Sequence, residues 1–356
     1  MGQDSTNSVL GRRPRKRQRI VRELRDQIVN GELAPGERLP SHIALKDAFA
    51  TGTVTVQQAL KQLVDEGFVT ADGQRGTFVT DHPPHLSHFA MIFPEDPRRS
   101  STWSTFSEAL DRVLEIHPGD GEHTIRAYYD AMSGQQSRDY PRLLRDLEHD
   151  LLAGLIFVSP PVGFDDTPFL KRRDLPRIVI AAEPIPPDMA CVYFDYADFL
   201  NKAVARLAEA GASRVGLVTF GSLSDELSNA LAKALREHGM QMKPHWQHHQ
   251  SPWNRLGIIH LMRLLLASPD DRPDGLIVFD DNLLPSVMDG VAAAGMLRHL
   301  HVVSHTNFPF PVEAKGRAMH IGFDLSALLD TCVELLSRQV RDEPTPPQTL
   351  MPVVEA

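Results

Sequence analysis

The sequence predicts an α/β protein in two dissimilar parts: a small N-terminal unit of three helices and a hairpin, then a larger unit of alternating strands and helices. Three observations predict it. Apolar residues recur at helical spacing through the first sixty or so positions and stop at glycines. From His88 onward, short apolar runs alternate with amphipathic stretches, the pattern of largely parallel sheets. A length of 356 residues accommodates two or three domains of ~150 residues each.

Composition narrows the functional classes. The 42% hydrophobic and 23% charged fractions belong to a folded globular chain. No run approaches the ~18 apolar residues of a membrane helix, and no apolar segment follows the basic N-terminus as in an export signal. Cys191 and Cys332 lack zinc-site spacing and form no disulfide framework. A cytoplasmic protein is therefore expected, without membrane partner, metal or cofactor.

Charge separates the two parts. The net charge is -9, yet residues 1–80 hold 12 basic and 9 acidic side chains, whereas the remainder hold 25 and 37. Arg12, Arg13, Arg15, Lys16, Arg17 and Arg19 form a dense block broken only by Pro14 and Gln18. Such a block suits a basic disordered arm, residues 1–16, lying on phosphates or in a minor groove. A solvated tail is the alternative for a charge run alone.

Residues 17–80 read as a winged helix-turn-helix. Ile20, Leu24 and Ile28 mark a first helix that stops at Gly31. Ser41 is placed to cap a second helix bearing Ile43, Ala44, Leu45, Ala48 and Phe49. Thr53 is placed to cap a third, with Val56, Leu60 and Leu63 inward and Val54, Gln57, Gln58 and Lys61 outward until Gly67. Phe68 to Thr70 and Thr77 to Val79 are short strands, and the Asp72-Gly73 and Arg75-Gly76 turn signals between them make a hairpin, the wing.

The segments "GELAPGERLPS", "TVTVQQALKQLVDEGFV" and "RGTFV", in this order and spacing, resemble the N-terminal domain of GntR-family bacterial transcription regulators over about 65 residues. The resemblance implies that Thr53 to Glu66 is a recognition helix in the major groove, that the Ser41 turn reaches phosphate, and that the Arg75-Gly76 tip touches the minor groove. Chemically, Gln57 and Gln58 suit adenine, Lys61 suits phosphate, and the methyls of Val54 and Thr55 suit thymine. The chain departs from the family pattern at Gly52-Thr53, where a Ser-Arg pair is usual, at Gln57 in place of Arg, and at His42 in place of Glu. A different operator and greater reliance on the arm are expected.

Asp81 to Ser87 is a polar, proline-stiffened linker where the charge changes sign. Beyond it, strands are predicted near Phe89 to Phe93, Thr124 to Tyr128, Gly154 to Val158, Ile178 to Ala181, Val215 to Thr219, Gly275 to Phe279 and Val302 to Ser304. "AGLIFV" at 153–158 echoes "DGLIVF" at 274–279, as if two lobes shared one plan.

The stretches "LNKAVARLAEAGASRVGLVTF", "RPDGLIVFDDNLLPSVMDGVAAAGM" and "HVVSHTNF" make residues 88–356 resemble the effector domain of the lactose/galactose-repressor family, itself akin to type I periplasmic sugar-binding proteins. The resemblance implies a two-lobed Rossmann-like periplasmic-binding-protein type I domain with crossovers near Asp195 and between Ser304 and Phe323. It implies a ligand at the strand C-termini and homodimers that read a pseudo-palindromic operator. Candidate ligand residues at those strand ends are Trp103, Phe106, Glu183, Asp195, Phe220, Asp225, Asp280, Asp281, His305 and Asn307, with Phe93, Ser159, Asn282 and Thr306 beside them. Aromatic faces and carboxylates suit a sugar. The bland alternative makes Trp103 and Phe106 core and Asp225, Asp280 and Asp281 helix caps. The family's ligand-binding arginine falls on Leu227 or a neighbour, and its second aspartate pair on Thr306-Asn307.

His245, His248 and His249 lack metal-ligand companions and read as a polar loop, and no motif of acyl transfer, P-loop or dinucleotide binding occurs. The leading expectation is a transcription regulator, a repressor that binds double-stranded DNA under control of a sugar-like small molecule, with no catalytic residue. A second reading makes the large domain a dimerisation or partner platform. A third, resting on Asp280 and Asp281 alone, makes it a sugar-active enzyme.

Overall fold

The computed structural model describes residues 16–98, 100, 104–119, 121–131, 137–161, 167–182 and 189–355. The chain divides into two compact units. One runs through His88 and takes in Arg145–Ala153; the other comprises Phe89–Leu144 and the chain from Gly154 onward.

The first unit holds α1 (Lys16–Val29), α2 (His42–Ala48), α3 (Thr53–Asp65), β1 (Val69–Asp72) and β2 (Gly76–Val79). Ile20, Leu24 and Ile28 of α1 meet Leu45 of α2 and Val56, Leu60 and Leu63 of α3 in one core with Phe68 and Val79. Burying each such side chain stabilises the unit by roughly 1.5–3 kcal/mol. Ser41 caps α2, its Oγ accepting the Ala44 N–H at 3.2 Å. The cap expected of Thr53 falls instead on Gly52; Thr53 is the first helical residue, and α3 starts without a side-chain cap. The hairpin pairs Val69 with Val79 and Asp72 with Gly76. Gly76 has φ +123°, and a Cβ there would come within 2.8 Å of Arg38 Nε, so the wing requires glycine at this point. The expected linker contains a short helix, α4 (Pro84–Ser87), with Phe68 stacked on His85 at 5.9 Å.

The second unit contains α5 (Thr105–Ile116), the first half of α6 (Tyr140–Glu148), whose Arg145–Glu148 end belongs to the first unit, α7 (Pro168–Lys171), α8 (Tyr196–Glu209), α9 (Asp225–Glu237), α10 (Arg255–Leu265), α11 (Leu284–Ala293) and α12 (Leu325–Val340). They flank two six-stranded sheets. The strands of one are β3 (His88–Phe93), β4 (Thr124–Tyr129), β5 (Gly154–Phe157), β6 (Arg177–Ala181), β7 (Ala190–Phe194) and β13 (Gln348–Met351). Those of the other are β8 (Val215–Thr219), β9 (Gln247–His249), β10 (Gly275–Val278), β11 (His301–Phe308), β12 (Met319–Asp324) and β14 (Val354–Glu355).

The orders β13-β7-β6-β5-β3-β4 and β14-β12-β11-β10-β8-β9 superimpose position for position. The echo between "AGLIFV" and "DGLIVF" therefore has a structural meaning: β5 and β10 hold the same place in their sheets. Each opens on a glycine where a Cβ would press on packed side chains, 3.0 Å from Leu336 at Gly154 and 3.0 Å from Ala212 at Gly275. Pairing is parallel from β3 through β5, β6 and β7 to β13, and likewise from β9 through β8, β10 and β11 to β12. The β12–β14 pair at the edge of the second sheet is antiparallel.

The chain passes between the lobes three times: from β7 into α8 at Asp195, from β12 into α12 at Asp324, and from β13 to β14 at residues 352–353. The resemblance anticipates the first; it puts the second between Ser304 and Phe323, where the chain still runs within the second sheet, just short of the passage at Asp324, and it does not anticipate the third. Both aspartates cap the helix that follows: Asp195 accepts the Asp198 N–H at 2.9 Å, and Asp324 accepts those of Ser326 and Ala327 at 2.8 and 3.2 Å. The histidines expected in a loop lie in a 3₁₀ turn (Pro244–Trp246) and in β9, with Trp246 fully buried. Among the described residues no cluster of three metal-ligating side chains occurs, and no helix is long and apolar enough to cross a membrane.

Candidate nucleic-acid interface and ligand cleft

On the first unit, the core-facing stripe of α3 fixes what its other side presents. Thr53, Val54, Gln57, Gln58 and Lys61 are exposed, and Thr55 is half-buried. Lys61 Nζ reaches Asp65 one turn on, at 3.1 Å, a surface pair that a phosphate can compete with. Ser41 and His42 are exposed at the start of α2. Arg75 is exposed at the wing tip and pairs with Asp72 at 3.0 Å, beside the half-buried Gly76. Arg12, Arg13 and Arg15 lie outside the described residues. Lys16 and Arg17 belong to α1 rather than to an arm, and Lys16 Nζ donates to the Ala50 carbonyl at 2.6 Å. Ala50 has φ +45°, so this lysine holds the strained turn between α2 and α3. Ile43 and Val54 are 71% and 65% exposed, two apolar side chains spread over the helix-turn-helix. Sequence reasoning placed Val54 on the outer side and counted Ile43 among the apolar residues of the second helix without giving it a side.

In the second unit, the strand C-termini of the two lobes enclose a cavity of about 470 Å³. Of the expected ligand residues, Phe106, Phe220, Asp280, Asp281, His305 and Asn307 line it together, as do Ser159 and Asn282. Asp195 and Asp225 do not: Asp195 is occupied as a helix cap, and Asp225 sits in the first turn of α9, behind Ser224, which caps that helix and lines the cavity. Phe93 lies in the core, stacked on Tyr129 at 5.3 Å, and Thr306 bonds His320 at 2.8 Å away from the wall. Trp103 and Glu183 lie outside the described residues.

Sequence reasoning missed Phe194, Tyr196 and Phe279, which join Phe106 in a connected aromatic wall: Phe106 to Phe194 at 5.8 Å, Phe194 to Tyr196 at 5.9 Å, Tyr196 to Phe279 at 5.1 Å. The signal was present, since Phe194 and Tyr196 flank the crossover residue Asp195.

The polar floor of the cavity is a network. Asp281, 2% exposed, accepts Asn307 Nδ2 at 2.8 Å and the Thr105 hydroxyl. Thr105 also donates its backbone N–H to Asn282 Oδ1 at 2.9 Å. Thr105 begins α5 on one lobe and the Asp281-Asn282 pair follows β10 on the other, so these bonds clasp the lobes together. Asp280 Oδ1 accepts the backbone N–H and the Nδ2 of Asn282 at 2.9 and 2.7 Å. Burial raises both aspartates above the usual carboxylate range, opposed by these hydrogen bonds. Burial lowers His305 to about 4, so the imidazole is neutral near pH 7 despite the nearby Asp280. Desolvation, then the Asp280 and Asp281 charges, push the Tyr196 phenol up.

The fold and the two sites together define a helix-turn-helix unit joined to a two-lobed binding domain, and comparison with known proteins agrees. Residues 16–79 match the model for bacterial regulatory proteins of the gntR family, and residues 204–355 match the periplasmic binding protein-like domain. The chain is thus built of a gntR-family helix-turn-helix domain and a periplasmic-binding-protein-like domain. It is 34% identical over 111 residues to the mannosyl-D-glycerate transport/metabolism system repressor MngR of Escherichia coli, covering 31% of this chain and 45% of that protein. It is 44% identical over 61 residues to the HTH-type transcriptional repressor NagR of Bacillus subtilis, covering 17% of this chain and 25% of that one. The chain therefore spans under half the length of these curated relatives. Among solved structures, a LacI family transcriptional regulator from Lactobacillus casei with bound sucrose has a TM-score of 0.54 at 16% identity, covering 75% of this chain and 98% of that one. GanP, a glucose-galactose binding protein from Geobacillus stearothermophilus, has a TM-score of 0.53 at 13% identity, covering 76% and 97%.

Proposed function

We propose that this chain is a ligand-controlled transcription regulator, a repressor that binds double-stranded DNA through α3, the Ser41 turn and the wing. A sugar-like molecule held between the two lobes controls it. The observation that carries the reading is the pairing, on one chain, of a recognition helix with an exposed amide-bearing side and a cleft walled by aromatic rings over a buried polar floor. Gln57 and Gln58 suit bidentate contact with adenine, and Val54 and Ile43 suit thymine methyls. Arg12, Arg13, Arg15, Arg17, Lys61 and Arg75 supply the sequence-independent attraction to phosphates.

The curated relatives named as repressors support the direction of control, and the neighbour solved with sucrose supports a saccharide-sized ligand. A homodimer reading a pseudo-palindrome follows from one helix-turn-helix per chain, and the chain acts in the cytoplasm as a binding protein rather than an enzyme. Ligand binding selects one arrangement of the lobes and so changes operator affinity. Selection of bound duplexes from a random library is expected to enrich a pseudo-palindrome whose binding responds to cleft ligands. Equal affinity for selected and random DNA would refute the reading.

A further inference from the structure

Given that the cleft is an effector site, the charges on its wall restrict what the effector can be. None of the described residues lining the cavity is a lysine or arginine, and Leu227, on the first turn of α9, fills its share of the wall with an aliphatic side chain. The wall carries two carboxylates. Asp281 is answered from within the protein by Thr105 and Asn307. Asp280 is answered on one oxygen only: both Asn282 donors go to Oδ1, and among the described residues none forms a hydrogen bond or ion pair with Oδ2. On the same wall His305 is 6% exposed, and its Nε2 is buried without a partner. The charge of His305 is the smallest of the influences on Asp280, and burial keeps the imidazole neutral near pH 7. Around these groups stand the rings of Phe106, Phe194, Tyr196, Phe220 and Phe279.

We propose that the effector is an amine-bearing polyol whose ammonium group pairs with Asp280 among the aromatic rings. A half-buried carboxylate with no cation beside it among the described residues carries a desolvation cost that an incoming ammonium offsets, and ring faces attract the same cation. The hydroxyls meet His305 Nε2, Asn307 and Ser159. A phosphorylated or carboxylated sugar places a second negative charge against Asp280 and is rejected. A neutral sugar fits the shape and leaves the carboxylate unpaired. The direction of the Asp280 shift agrees: burial raises it, so pairing with ammonium releases a proton, and affinity falls on acidification above the usual carboxylate range.

Calorimetric titration of the full chain at pH 7 with the neutral, 2-amino and 6-phosphorylated forms of glucose, galactose and mannose tests this. The expected result is that an amino form binds at least tenfold more tightly than its neutral parent, with no measurable binding of the phosphorylated form. Asp280→Asn erases that preference, and Leu227→Arg, which sets a cation on the same wall, reverses it toward the phosphorylated form. Neutral or phosphorylated forms binding as tightly as the amine, or a preference that survives Asp280→Asn, overturn the inference and leave the cleft an effector site. No saturable binding by any sugar of the set overturns both.

Discussion

Arg25 joins three parts of the first unit. It is 6% exposed, pairs with Glu66 at 2.5 Å and lies over the Phe68 ring at 5.5 Å, so α1 is tied to the end of α3 and to the residue just before β1. Removing one partner of a buried pair strands the other charge. Arg25→Ala is expected to destabilise this unit by about 3 kcal/mol, whereas Arg25→Met combined with Glu66→Leu costs much less. Denaturant unfolding followed by far-UV circular dichroism checks both. His305 sets a pH dependence in the second unit. The unfolded chain protonates this imidazole below 6.5, and the folded one resists until about 4. Over that window the unfolded state binds more protons, so stability is lost as pH falls from 6.5 toward 4, by up to about 3 kcal/mol. Asp280 and Asp281 act with the opposite sign, since folded carboxylates with raised pKa hold their protons longer. His305→Gln is expected to flatten the acid-side loss, measured as melting temperature against pH. Asp280 and Asp281 were legible because polar groups stood where an apolar strand ended, whereas His305 and Asn307 were picked out past a strand expected to stop at Ser304 and lie within β11, which runs on to Phe308. Phe194 and Tyr196 were not legible, because aromatic residues beside a strand end read equally well as core.

At the scale of elements, α3 and the basic segment before α1 have separable contributions. Gln57→Ala and Gln58→Ala are each expected to cost about 1–3 kcal/mol on the selected sequence and to relax preference at the position read. Neutralising Arg12, Arg13 and Arg15 should weaken binding to all duplexes and lessen the slope of log affinity against log salt by about 0.9 for each phosphate that is no longer neutralised. Fluorescence anisotropy at several salt concentrations separates the two effects. Lys16 does not belong in that group, because its tie to Ala50 makes its removal a defect of the turn. The elements also show where pattern reading stops. β5, β8 and β10 are fully buried apolar runs and were plain in the sequence. β12 interrupts its apolar residues with His320 and Gly322, and β13 and β14 are short edge strands with exposed positions, so no period marks them. Gly52 escaped as a cap because a hydroxyl residue, Thr53, stood next to it.

At the scale of the whole molecule, the two lobes of the second unit are held by the Thr105 clasp as well as by the chain itself. Thr105→Val keeps the side-chain shape and deletes the hydroxyl that Asp281 accepts, leaving a buried carboxylate oxygen without its donor. The variant is expected to favour separated lobes and weaken ligand affinity by about tenfold, roughly 1.4 kcal/mol, with a larger radius of gyration in small-angle X-ray scattering. An unchanged radius and affinity would assign the bond to local packing alone. The three passages of the chain between the lobes have a mechanical consequence. A single tether permits swivel and twist, whereas three suppress both and leave bending as the soft motion. Distance labels on opposite lips of the cleft should then report one coordinate of opening, with little of the spread that free rotation would produce. A ligand bridging the lips has little orientational freedom to remove, so its effect on the rest of the chain is transmitted as an angle.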